Sequence, residues 1–191
     1  MNNYEYIIAS LPVPGKDTEK LDADALVEAI KNLLDDKDNA LADLLLESFN
    51  PDSLSPDYYE RAAKASNAFI REYTGFDLKV RNAKVDFINR TLGRPEGQDS
   101  MPLPTGMSEE FDRRAEVDAI LGRSDIIERE KGLDDLMWAE ADRLTEMHVL
   151  DLDIILAFIA KIKITDRWNK LDPATGRELF RKLVQEIRNT R

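Results

Sequence analysis

The sequence predicts an all-α protein, an irregular bundle of about seven to eight helices. Three observations carry this. Apolar residues recur at three- and four-residue spacing through most of the chain, as in Leu26, Ala29, Ile30, Leu33 and Leu34. A cap followed by proline marks helix starts at Ser55-Pro56 and Asp172-Pro173. The one alternating segment, with Tyr4, Tyr6 and Ile8, has no second convincing strand to pair with. That segment, residues 4–11, reads either as a short extended piece or as a helix with Tyr4, Ile7, Ile8 and Leu11 on one face. Pro12, Pro14 and Gly15 end it in both cases.

Residues 25–34 and 39–49 each carry one apolar face, the second through Leu41, Leu44, Leu45 and Phe49. The polar run Asp35-Asp36-Lys37-Asp38 reads as the link of a helical hairpin. From Ser55-Pro56 the pattern predicts one helix with Tyr58, Ala62, Ala65, Phe69 and Tyr73 on a stripe, ended or kinked at Thr74-Gly75. Residues 77–92 carry two stripes, Leu78, Val85, Ile88 and Leu92 on one side and Val80, Ala83 and Phe87 on the other. A helix apolar on both sides is sandwiched between neighbours. Residues 93–108 hold three prolines and three glycines and read as a loop. The chain is then one helical domain over residues 1–191, or two lobes (1–92 and 109–191) joined by that loop.

Ser108-Glu109-Glu110 reads as the start of a short helix reaching about Leu121. Residues 125–147 form a long helix with Ile126, Leu133, Met137, Ala141 and Leu144 on its stripe. Gly132 inside it costs about 1 kcal/mol relative to alanine. Glu130 and Glu140 fall near the stripe, so arginine or lysine partners are expected. Residues 152–164 are apolar at ten of thirteen positions and form the central core helix, with Asp151 and Asp153 at its start. Lys161 and Lys163 in so short a run speak against a membrane span. A last helix buries Leu179, Phe180, Leu183, Val184 and Ile187.

Composition narrows the function. The 191 residues carry a net charge of −11, which argues against nucleic acid and anionic membrane as partners. The charge is segregated: residues 58–94 hold eight basic and four acidic residues, and residues 95–160 hold six and seventeen. There is no cysteine, so thiolate metal sites, cysteine nucleophiles and disulfides are excluded, as fits a reducing cytoplasm. The opening residues lack the basic and apolar regions of a signal peptide.

No catalytic, cofactor-binding or metal-binding set is identified. Neither GxxxxGK[ST] nor GxGxxG occurs. His148 is the sole histidine, which removes a histidine triad or histidine metal cluster, and it reads as a helix-end residue. The Glu-x-x-His spacing of di-iron bundles is absent. Lys79, Arg81, Lys84 and Arg90, with Arg94, surround one helix; they serve either intramolecular pairing or docking onto an acidic protein surface. Trp138 and Trp168 read as core or rim packing, and as interface anchors if exposed.

Three ordered segments carry a resemblance. They are YEYIIASLP at the start, YYERAAKASNAFIREYTGFDLKVRNAKV in the middle, and DIIEREKGLDDLMWAEADRLTEM followed by ILAFIAKIKITDRWNKLDPATGRELFRKLV at the end. Together the chain resembles an uncharacterised bacterial family, a domain of unknown function, encoded within V/A-type ATPase operons. The matching positions are Tyr4, Tyr6, Leu11 and Pro12, then Phe69, Ile70 and Arg71, then Glu128, Arg129, Glu130, Trp138, Arg167, Trp168 and Phe180. Glu5 departs from the family's more aromatic opening, and the chain is short between residues 15 and 55. The aromatic opening and helical character are also similar, more weakly, to the central-stalk component of rotary ATPases that caps the membrane rotor ring.

The resemblance implies a non-enzymatic component or assembly factor of a bacterial V/A-type rotary ATPase, an ATP synthase that couples to proton or sodium ion transport. Its partners would be stalk or rotor-ring subunits. Its place would be the cytoplasm, peripheral to the inner membrane through the complex. From the residues alone, 38 acidic side chains, with Glu130 and Glu140 near an apolar stripe, motivate an alternative: a carboxylate-based metal-binding or hydrolytic helical bundle. An adaptor unrelated to the ATPase is the third reading.

Overall fold

The computed structural model describes residues 3–13 and 22–170. Among the described residues there are eight α-helices, one short 3₁₀ turn and no strand. The predicted last helix, with Phe180, lies outside the described residues.

The helices are α1 (Tyr4–Ser10), α2 (Ala23–Lys31), α3 (Asp36–Glu47), α4 (Pro56–Ala63), α5 (Ala68–Thr91), α6 (Arg114–Leu121), α7 (Ile126–Thr145) and α8 (Leu152–Asn169). A 3₁₀ turn at Pro51–Ser53 links α3 to α4. The ambiguous opening segment is helical: Asn3 caps it by accepting from the Tyr6 N–H, and Ile7 is buried. The acidic run at 35–38 is no link but a helix start. Asp35 accepts from the N–H groups of Lys37 and Asp38, so the aspartates cap α3 and favour its dipole.

Three boundaries depart from the sequence pattern. The stripe from Tyr58 to Tyr73 does not lie on one helix. α4 ends at Ala63, and α5 starts afresh with Asn67, whose side chain accepts from the Ile70 N–H. Arg71 then reaches back to the Ala65 carbonyl and closes the break. Thr74-Gly75 does not end α5, which runs on to Thr91. Gly75 is a point of close approach, where an added Cβ would lie 2.8 Å from Met107 Cε. Likewise α6 begins at Arg114, not at Ser108.

α5 and α7 run antiparallel. Glu72 meets Arg143 at one end, and Lys84 pairs with Glu130 toward the other. α8 is the centre, packing on α1, α2, α3, α5 and α7. Apolar residues on nearly every side give it that place. Ile155, Leu156, Ile159 and Ile162 are fully buried, each stabilising by about 1.5–3 kcal/mol relative to exposure. Asp151 caps it through the N–H groups of Asp153 and Ile154.

The outer half of α5 is less apolar in its contacts than its pattern. Leu78, Val80 and Ala83 are buried, but Ile88 and Leu92 are exposed. Asn82, Asp86 and Asn89 share that half's inner face and grip the loop of residues 92–113. Asn82 donates to the Met101 carbonyl and accepts from its N–H. Asn89 donates to the Gln98 carbonyl. Asp86 accepts from the N–H of Gly97, which sits at a φ of 78° open to glycine, and from Arg114 of α6. The proline- and glycine-rich loop is thus strapped along α5. Ile126, expected on the α7 stripe, is 68% exposed.

Candidate functional site

Two features stand out on the surface, a charged cleft and an apolar corner. The cleft, about 380 Å³, opens where the end of α3, the middle of α5, and the facing parts of α7 and α8 meet. Four-residue spacing on α5 puts Tyr73, Asp77 and Arg81 on its wall. α7 contributes Asp134 and Met137, and α8 contributes Lys163, Asp166, Arg167 and Lys170.

The carboxylates are each engaged. Asp77 Oδ2 accepts from the Tyr59 hydroxyl at 2.8 Å and from Arg81 Nε at 2.7 Å. Asp134 Oδ2 accepts from Trp168 Nε1 at 2.7 Å and pairs with Arg167 Nη2 at 2.9 Å. Asp166 pairs with Lys170 at 2.7 Å, and Lys163 reaches Asp24 at 2.9 Å. Burial pushes the Asp134 carboxyl above its ordinary range, against the pull of Arg167 and Trp168. Burial and the charge of Asp77 together hold the Tyr59 hydroxyl protonated far above the usual phenol value.

Tyr73 forms part of the cleft floor. It is 1% exposed, and its ring stacks on Phe69 with centroids 5.3 Å apart. Burial, with Asp77 and Asp134 nearby, raises its hydroxyl well above the ordinary phenol value. That hydroxyl makes no hydrogen bond to a described residue and is not among the fully buried side-chain atoms left without a partner, so its oxygen touches solvent in the cleft.

The second feature is the turn between α7 and α8. Met147 is 90% and Val149 72% exposed, and Leu150 stands beside them. The adjacent groove, about 280 Å³, is lined by Ile8, Leu11 and Pro12 of the first helix and its exit, and by Ile154 and Phe158 of α8. Val13 stands 87% exposed at its edge. Three exposed apolar side chains in one turn, Met147, Val149 and Leu150, beside a groove edged by Val13, exceed the scattered singles of an ordinary surface. His148, inside the turn, lies 2.6 Å from Asp151 Oδ2, at a helix end as the sequence predicts.

The residues singled out from sequence are placed as follows. Lys79 donates to the Glu110 carbonyl at 2.7 Å, Arg81 pairs with Asp77, Lys84 with Glu130, and Arg90 with Asp118 at 2.6 Å. They lie along α5, each with a partner in the fold. Arg94 belongs to the strapped loop, its N–H bonded to the Asn89 carbonyl. Trp138 is half-buried under Lys161, 5.5 Å from its ring, and Trp168 is half-buried on Asp134. Glu130 holds Lys84 and Arg167, and Glu140 holds Arg143 at 2.7 Å, the basic partners expected of them. Among the described residues no group of three or more potential ligands is placed to hold a metal ion, and no helix is long and apolar enough to cross a membrane.

Neither feature was found by motif. The cleft is assembled from four separate elements. The corner did leave a signal: Met147, Val149 and Leu150 are apolar residues in a turn, where polar ones are the rule.

Residues 104–190 match the family described as Protein of unknown function (DUF2764). No curated protein and no solved structure matches the chain. The matched span takes in α6, α7 and α8, so most of the apolar corner and the α7–α8 wall of the cleft lie within this domain of unknown function.

Proposed function

We propose that the protein is a non-enzymatic component or assembly factor of a bacterial V/A-type rotary ATPase, acting by docking on a protein surface of the stalk or rotor ring. The observation that carries the docking half is the corner of Met147, Val149, Leu150 and Val13 beside an apolar groove. The sequence resemblance to a family encoded in V/A-type ATPase operons, with its weaker likeness to the stalk component that caps the rotor ring, carries the partner. Glu146 is exposed next to Met147, so the surface suits an apolar knob flanked by lysine or arginine. The carboxylate-chemistry alternative loses its motive, since Glu130 and Glu140 are both neutralised by basic partners.

The test is affinity capture of the tagged full chain from native membranes, with mass spectrometry of what is recovered. Stalk or ring subunits in constant proportion mark a structural component; sub-stoichiometric recovery marks an assembly factor. The double variant Met147→Glu, Val149→Glu keeps its thermal stability, because both side chains are exposed, and loses the recovery. Absence of every ATPase subunit from the wild-type capture overturns the proposal.

A further inference from the structure

The α5–α7 pair extends past the helix that covers it. Arg167, near the end of α8, meets Glu130 and Asp134 of α7, and Lys161 meets Asp142 further back. α8 therefore runs antiparallel to α7 and ends, at Asn169, before it reaches the first turn of α7. Between α5 and α7, Glu72 pairs with Arg143 and Lys84 with Glu130. That register sets Ile88 of α5 opposite Ile126 and Ile127. Ile127 stands seven residues before Asp134, whose carboxylate holds Trp168 and Arg167 of α8. Ile88 stands four residues after Lys84 and eleven after Asp77 of the cleft wall. At 3.6 residues per turn each interval returns to the same helix face. The face that α8 covers thus runs on beyond α8, and it stays apolar. Ile88, Ile126 and Ile127 are exposed, as is Leu92 one turn further along α5, more than the scattered singles of an ordinary surface.

The chain that follows α8 suits this face. Residues 171–191 depart from Lys170, at the same end of the bundle. Pro173 disfavours a straight continuation of α8 and suits the first turn of a new helix. Leu179, Phe180, Leu183, Val184 and Ile187 then recur at helical spacing on one stripe. From Leu179 to Ile187 a helix rises about 12 Å, and packed helix axes stand about 8–10 Å apart. A stripe of that length laid across the pair reaches both α5 and α7. Charge agrees: residues 171–191 hold five basic and three acidic side chains in a chain of net charge −11, so a basic segment meets an otherwise acidic protein. The family match, over residues 104–190, puts the segment in one domain with α6, α7 and α8.

We propose that residues 173–188 form a helix that lies across the exposed ends of α5 and α7 and buries Ile88, Ile126 and Ile127 beneath its apolar stripe. Tethering through a few residues gives this contact an effective concentration on the order of millimolar, so it prevails over a second copy of the chain or a free partner. The segment closes the domain at the start of α7. The apolar corner lies at the other end of that helix, about 30 Å away, and stays open to partners. The inference is independent of the docking reading above.

The chain has no cysteine, so a nitroxide can be attached at one chosen site of the full-length protein. Lys131→Cys places it on exposed surface one turn after Ile127, and Glu146→Cys places it at the far end of α7. Amide NMR reads which residues lie near each label. The expected result is loss of amide signal across residues 177–188 with the first label and none with the second. A mixture of isotope-labelled chain lacking nitroxide with unlabelled chain carrying it at residue 131 should keep those signals. The double variant Ile88→Asp, Ile127→Asp, at two exposed positions, should restore the signals and shift the 177–188 amides toward random-coil values. Leu183→Asp, Ile187→Asp should do the same from the segment's side. Four outcomes overturn the proposal: no signal loss over residues 177–188 with the label at residue 131; loss with the label at residue 146 instead, which puts the segment on the apolar corner; loss only in the mixture, which makes the occupant a second copy; or undiminished loss in both double variants.

Discussion

Gly132 of α7 faces Ile120 of α6 with no room for a side chain between them. An added Cβ would lie 2.8 Å from Ile120 Cγ2 and 2.9 Å from Arg123 Nη1. The glycine that weakens the isolated helix is what lets α6 close on α7. Ile120 is buried and β-branched, so it has little freedom to yield. Gly132→Ala is expected to destabilise by about 1–3 kcal/mol, measured by urea denaturation. Gly75→Ala is the contrast. There the atom in the way is the end of the flexible Met107 side chain, and helix propensity returns about 1 kcal/mol. That variant should remain within about 1 kcal/mol of wild type. Equal losses in the two would show that propensity, not close approach, governs both sites.

Asp86 is the main anchor of the strapped loop. It takes the Gly97 N–H at 2.9 Å, the Ser100 hydroxyl at 3.3 Å and Arg114 at 3.2 Å. Asp86→Ala should cost about 2–3 kcal/mol and speed amide exchange across residues 97–101. Unchanged exchange there would mean that Asn82 and Asn89 suffice to hold the loop.

The Tyr59 hydroxyl donates to a charged acceptor that also binds Arg81. Tyr59→Phe should therefore lose about 2 kcal/mol, whereas Tyr73→Phe should lose nothing. Thermal denaturation of the two variants side by side separates a used hydroxyl from an unused one.

His148 sits with Asp151 at 2.6 Å and Asp153 at 3.8 Å. The hydrogen bond to Asp151 raises its pKa above the ordinary 6.5, with the charge of Asp153 adding to it and slight burial opposing. The protonated form is the one that folding favours. Its contribution is complete below the unfolded value and is lost as pH rises through the folded one. Amide exchange at Asp153 and Ile154, the first turn of α8, should accelerate over that rise, and His148→Gln should flatten the response. A variant that keeps the full pH dependence would assign it to another group.

Much of the architecture is legible in the chain itself. An apolar surface on all sides announces α8 as the central helix, and Ser55-Pro56 and Asp151 announce their helix starts. The break between α4 and α5 is hidden because Ala65 continues the stripe across it. The signal is Asn67, a capping residue just before Phe69 and Ile70. Asn82, Asp86 and Asn89 read as an ordinary polar face, since their partners are mostly main-chain atoms of a loop with no pattern of its own. Ion pairs for Glu130 and Glu140 follow from their position near an apolar stripe. The cleft is not legible, because Tyr73 looks like any other aromatic on a helix stripe. Whether its hydroxyl finds a partner depends on where three other elements end.

The loop over α5 is gripped largely by its main chain: the Gly97 N–H, the Gln98 carbonyl, and the N–H and carbonyl of Met101. The side chains of Glu96, Gln98 and Asp99 meanwhile stand exposed to solvent. A clamp on peptide groups is indifferent to what the side chains spell. The path across α5 is thus fixed while Gln98 is free to vary; Asp99, at a φ of 64°, favours aspartate, asparagine or glycine, and Glu96 pairs with Arg114. That makes Gln98 a natural place to carry a spectroscopic reporter, Gly97 itself kept, without redrawing the helices beneath.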